Sequence, residues 1–173
     1  MKFACCDISF FRLLLLAVAI SYCFQYMSAQ PDLPQRTLTV NATQAIHFGT
    51  FCITGGSGGT VTVDYNGIRT STGDIVLLAR APISQPAIFE IKLCQGRNVI
   101  ITYNSSTTIT GNTGGSLTFN IGPTEKGGYG AYFPTNSDCN YVNILRVGGT
   151  LQVPGGALPG SYSGTFDITF NQE

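Results

Sequence analysis

Apolar side chains in this chain recur at every second position, and no window carries a convincing helical period. The sharpest case is the stretch 161–170. Tyr162, Gly164, Phe166, Ile168 and Phe170 fall on one parity, Ser163, Thr165, Asp167 and Thr169 on the other. A strand turns successive side chains to opposite faces, so the stretch has one apolar and one polar face. The breakers ahead of it, Pro154-Gly155-Gly156 and Pro159-Gly160, exclude a helix there. An edge this apolar has to be covered, because an open one templates aggregation. Two segments are candidates for the cover: the chain's own Leu38, Val40 and Ala42, or the same residues of a neighbouring molecule. The nearly unbroken alternation over 38–48 favours the chain's own segment. In that arrangement an unpaired charge at Val40 lowers the melting temperature.

The rest of the chain repeats the pattern. Leu38, Val40, Ala42, Ile46 and Phe48 share a parity, as one long strand or two short ones broken near Thr43-Gln44. Val61, Val63 and Tyr65 alternate into Asn66-Gly67, the strongest short hairpin signal available. The run Ile75-Val76-Leu77-Leu78 follows. Ala87, Phe89, Ile91 and Leu93 then face in, with Glu90 and Lys92 facing out. Val99, Ile101 and Tyr103 run back, and 104–115 reads as a polar loop. Leu117, Phe119 and Ile121 make another strand, and 122–140 is the longest irregular stretch. Leu145, Val147, Gly149, Leu151 and Val153 alternate again. Seven to nine short strands at regular spacing predict an all-β sandwich in a single domain.

Residues 1–29 stand outside that domain. Lys2 and Arg12 precede an apolar run at 13–20, too short to span a bilayer, and Ser28-Ala29-Gln30 offers a cleavage site. This reads as a signal peptide, with an uncleaved anchor as the alternative. The expected product has no membrane span. Residues 30–36, with two prolines, read as an extended arm, and 37–173 as the β domain. The expected location is the periplasm, cell surface or extracellular space.

Removing 1–29 takes away Lys2, Arg12 and Asp7, so the net charge of 0 becomes −1. A nucleic-acid binder would carry a basic stripe, and the sequence has none. Cys52, Cys94 and Cys139 remain, and an oxidising compartment predicts one disulfide with one thiol over. His47 is the only histidine, and no cysteine spacing resembles a zinc site. Neither a metal nor a cofactor is expected. A Ser-His-Asp site would have to use His47, which lies on the polar side of its strand. The carboxylates are scattered singly, so no acid–base pair stands out. No enzyme is expected. Loop 122–140 is the candidate ligand site: Tyr129, Tyr132 and Phe133 can stack on sugar faces, and Asn136, Asp138 and Asn140 can supply hydrogen bonds or a weak calcium site. The same aromatics can equally fold back to cap the sandwich.

The ordered set Ala45-Ile46-His47-Phe48-Gly49-Thr50-Phe51, Gly59-Thr60-Val61-Thr62-Val63, Arg69-Thr70-Ser71-Thr72-Gly73 and Val76-Leu77-Leu78, with Arg146-Val147-Gly148-Gly149-Thr150-Leu151 and Pro159-Gly160-Ser161-Tyr162-Ser163-Gly164-Thr165-Phe166, resembles a bacterial pilus (fimbrial) subunit. More narrowly, it resembles an uncharacterised family of exported bacterial β-sandwich domains grouped with such subunits. The resemblance implies an immunoglobulin-like sandwich and a structural or adhesive role without catalysis. Its partners would be itself or other surface subunits, joined by strand exchange. The residues it casts for pairing are Leu38, Val40 and Ala42 with Tyr162, Phe166, Ile168 and Phe170. Pilus subunits tie their first strand to a later one, which implies a Cys52–Cys94 disulfide with Cys139 free or intermolecular. A secreted monomer that binds a glycan through 122–140 is the alternative function.

Overall fold

The computed structural model describes residues 37–93 and 97–173. The expected signal peptide (1–29), the expected arm (30–36) and Cys94 lie outside the described residues. Every regular element described is a strand, thirteen in all, so the all-β class holds.

The longest strand, β11 (Asn143–Val153), organises the large sheet. Its residues 143–147 pair with β6 (Ala87–Leu93) and its residues 149–153 with β3 (Gly59–Val63). Along the other side runs β9 (Ser116–Thr124). β1 (Leu38–Gln44) adds to β6, β4 (Arg69–Gly73) to β3, β8 (Ser106–Gly111) to β9 and the short β12 (Tyr162–Ser163) to β8. All of these pairs are antiparallel. Two small sheets complete the set. One is β2 (Thr50–Ile53) with β5 (Ile75–Leu78), the other β10 (Tyr132–Pro134), β7 (Asn98–Tyr103) and β13 (Ile168–Gln172) in that order.

The alternation read from the sequence is the alternation of burial. Ile91, Val61, Val63, Leu145, Val147, Val99 and Ile101 are fully buried. Ile75 from one small sheet and Phe133 from the other join Leu117, Phe119 and Leu151 of the large sheet in a single core cluster. That shared core is what a sandwich requires. The hairpin signal at Asn66-Gly67 also stands. Gly67 takes φ +84°, Asp64 and Ile68 are hydrogen-bonded across the turn, and the Asp64 carboxylate accepts from the backbone N–H of Asn66 and of Ile68.

Three expectations change, and the choice left open for 38–48 is decided in favour of a break near Thr43-Gln44. Residues 104–115 are not a polar loop: they contain β8, whose Ile109 is buried in the core. Residues 122–140 contain the end of β9 and all of β10. The run 38–48 breaks at a register shift between Ala42 and Gln44, after which residues 45–49 make only the His47–Gln85 bridge. The closing stretch is not one strand. Tyr162 pairs with Gly111 of β8 in the large sheet, the chain then crosses over, and Ile168 and Phe170 pair with Tyr103 and Ile101 of β7. Gly164 permits the crossing, because a Cβ there would stand 2.8 Å from the Ile109 methyl group.

The expectation that Leu38, Val40 and Ala42 cover the closing strand is corrected with it. They pair instead with Leu93, Ile91 and Phe89 of β6 in the large sheet, whereas β13 pairs with β7 in a separate sheet. The apolar parity of the closing stretch survives: Tyr162, Phe166, Ile168 and Phe170 all pack half-buried against the core.

Candidate functional site

The second layer is interrupted. β2 pairs only with β5, and β13 pairs only with β7, among the described strands. Between the segment 45–53, which carries β2, and the segment 157–166, which enters the closing strand, lies a cleft of about 940 Å³. Its lining includes Ile109, Leu117, Phe119, Leu151 and Val153, which are core residues of the large sheet. Phe48 and Phe166 also line it. Each meets Phe119 edge-on, with ring centroids 5.5 and 5.4 Å away. Phe166 continues to Phe89 at 6.4 Å, and Phe89 to Phe170 at 5.8 Å. A line of phenylalanines therefore runs from the cleft into the core.

One wall is pinned by a charge. The Arg69 guanidinium donates to the carbonyls of Phe48 and Thr50 at 3.2 Å each, and to that of Leu78 at 2.9 Å. It thereby ties the entry of β2 to the exit of β5. The other wall is held by Tyr162, whose hydroxyl donates to the Leu158 carbonyl at 2.6 Å. Asn112 accepts from the Ser161 N–H at 2.9 Å, and Thr113 donates to the Pro159 carbonyl at 2.6 Å. The opening is bounded by hydrogen-bonded walls and has a core-like lining.

Cys52 lines this cleft, and the thiol is free. The expected Cys52–Cys94 disulfide is therefore corrected. Cys52 sits opposite Val76 in the β2–β5 sheet, whereas β6, which leads to residue 94, belongs to the large sheet beside β1. Cys139, expected free or intermolecular, is disulfide-bonded. Cys52 being free, the partner of Cys139 lies outside the described residues.

The loop at 122–140 divides its aromatics. Phe133 is 5% exposed and belongs to the core, so it is not available to a ligand. Tyr129 and Tyr132 are 71% and 69% exposed, and Tyr129 leans edge-on against Tyr103 at 6.0 Å. Asn136 and Asp138 are exposed, but each accepts a backbone N–H two residues on, from Asp138 and Asn140. These side chains shape the loop. His47 is exposed on its bridge to Gln85. Among the described residues no three His, Cys, Asp or Glu side chains converge as a metal cluster, and no helix is long and apolar enough to cross a membrane. Of the residues cast for strand pairing, Tyr162 and Phe166 line the cleft. Arg69 was missed, because a cation held by three carbonyls leaves no spacing signature in a sequence.

No curated protein and no solved structure matches this chain. A family model does, across most of the β domain, covering every strand from β1 into β13. The chain belongs to the family described as a domain of unknown function (DUF4402), matched over residues 38–171.

Proposed function

We propose that this chain is a non-enzymatic structural or adhesion protein of the bacterial exterior, resembling a fimbrial subunit and acting through β-strand pairing. The observation that supports the reading is the interrupted second layer. An extended strand entering the cleft would meet the free edge of β2, and its alternate side chains would rest on Leu117, Phe119 and Leu151. Backbone pairing would supply affinity, and the core lining would select apolar residues at every second position. An immunoglobulin-like sandwich short of one strand would present such an opening. On this reading the chain is exported, and its partners are further copies of itself or other surface subunits.

Filling the cleft tests it. Ala157 is half-buried on the cleft wall, so Ala157→Trp should occupy the space an incoming strand needs. The unmodified chain is expected to form salt-resistant oligomers or fibres in size exclusion and electron microscopy. The variant should remain a folded monomer with a melting temperature within a few degrees. Assemblies that persist in the variant, or a wild-type chain that never associates at high concentration, would defeat the reading.

A further inference from the structure

The sheet β10-β7-β13 has an outer face built of uncharged side chains. Its inward side is set by Phe133, Val99 and Ile101, all buried. Alternation therefore turns Tyr132, Asn98, Ile100, Thr102, Thr169 and Asn171 outward. The register puts Tyr132, Ile100 and Asn171 in one row across all three strands, and Thr102 beside Thr169 in the next. A row of three spans two interstrand spacings, about 10 Å. No residue of β10, β7 or β13 is Asp, Glu, Lys or Arg. Three strands of the large sheet carry charges: Glu90 and Lys92 on β6, Arg69 on β4 and Arg146 on β11.

We propose that this face binds a neutral oligosaccharide chain displayed on another surface. The partner's chemistry follows from what the face offers. Tyr132 presents an open ring of 69% exposure on which the apolar side of a pyranose can lie, with a hydroxyl at its rim. Asn98, Asn171, Thr102 and Thr169 supply amide and hydroxyl groups that both donate and accept, which suits sugar hydroxyls. Without a cation on its strands the face offers a carboxylate, sulfate or phosphate no counter-charge, so acidic glycans and nucleic acids are disfavoured. Its aliphatic side chains are the half-buried Ile100 and Pro134 opposite Asn98, too few for the apolar centre of a protein interface. A pleated sheet face is open at both ends, so it fits a chain whose successive units share weak contacts. Tyr129 lies near one end, where the backbone of Gly130 and Ala131 bonds to Ile101. The proposal concerns a surface separate from the cleft and does not depend on strand pairing.

The test is the full chain on a printed array of neutral hexose and N-acetylhexosamine oligosaccharides, with sialylated and sulfated ones alongside, followed by calorimetry on the best neutral hit. The expected result is binding to neutral chains that strengthens with length. Tyr132→Ala should weaken it at least tenfold, Asn171→Ala several-fold, and Tyr132→Phe little, with unchanged circular dichroism in each. If Tyr132→Ala does not fold, Asn98→Ala and Asn171→Ala together serve, with at least a several-fold loss expected. A blank array, a response to acidic glycans alone, or full affinity in the folded alanine variants overturns the proposal.

Discussion

Arg69 is half-buried with no carboxylate partner among the described residues, and the three hydrogen bonds it makes there go to backbone carbonyls. Bonds from a charged donor contribute more than neutral ones, and removing it strands three acceptors near the core. Arg69→Met, which keeps the apolar stem, should cost about 2 kcal/mol in urea denaturation. A loss no larger than experimental error would mean that water replaces the guanidinium without penalty. Tyr103 is the one described group with a displaced ionisation: burial pushes its hydroxyl above the ordinary 10.0. The raised value favours the protonated folded form. Its contribution is therefore complete below the ordinary value and is lost as pH rises through the folded one. Tyr103→Phe should flatten the loss of stability above about pH 10, read as melting temperature against pH. A slope identical in the variant would assign the alkaline loss to other groups. Neither residue was singled out by pattern. Tyr103 was legible only as an apolar position, since its depth depends on neighbours distant in sequence.

At the scale of elements, the outer strands behave less like core than alternation implies. Val40 faces Ile91 across the ladder but remains 38% exposed, because β1 lies at the edge of the large sheet. Val40→Asp should consequently cost no more than about 1 kcal/mol, mostly in β-propensity, and shift the melting temperature little. A collapse in stability would show that something further covers β1. The disulfide belongs to this scale too. Thr135 donates its N–H at 2.9 Å and its hydroxyl at 2.7 Å to the carbonyl of Arg97. The entry to β7 and the loop leading to Cys139 are thus stitched together. Cys94, directly after β6, is the expected partner of Cys139. Non-reducing peptide mapping should find that pair and an alkylatable Cys52. Cys139→Ser should cost up to roughly 4 kcal/mol by loop closure, and Cys52→Ser far less. A Cys52–Cys139 peptide would contradict both.

For the whole molecule, an unfilled cleft over core residues is a stability deficit that a ligand can remove. Any strand that binds the folded state alone raises its melting temperature by mass action. A synthetic peptide with apolar residues at alternate positions should therefore raise it by several degrees at saturating concentration, and the same peptide with those residues changed to Ser should not. Equal effects from both peptides would separate stabilisation from the cleft. By itself the sequence determined the all-β class, because a period of two excludes helices locally and needs no partner to be seen. It also determined which side of each strand is apolar, and the turn at Asn66-Gly67. What it left to the tertiary structure was which strands pair. The residues 162–170 carry one continuous alternation, yet the chain changes sheet at Gly164, since a glycine on either parity reads alike until Ile109 stands against it. Ile109 sat in a run of Ser and Thr that hydropathy reads as loop, and its burial comes from the strands on either side. Phe133 and Tyr132 are neighbours of similar composition and opposite fate, one in the core and one in water. The cysteines differ for the same reason. A disulfide joins thiols that are close in space, and that closeness is set by sheet order, through hydrogen bonds between residues far apart in the chain.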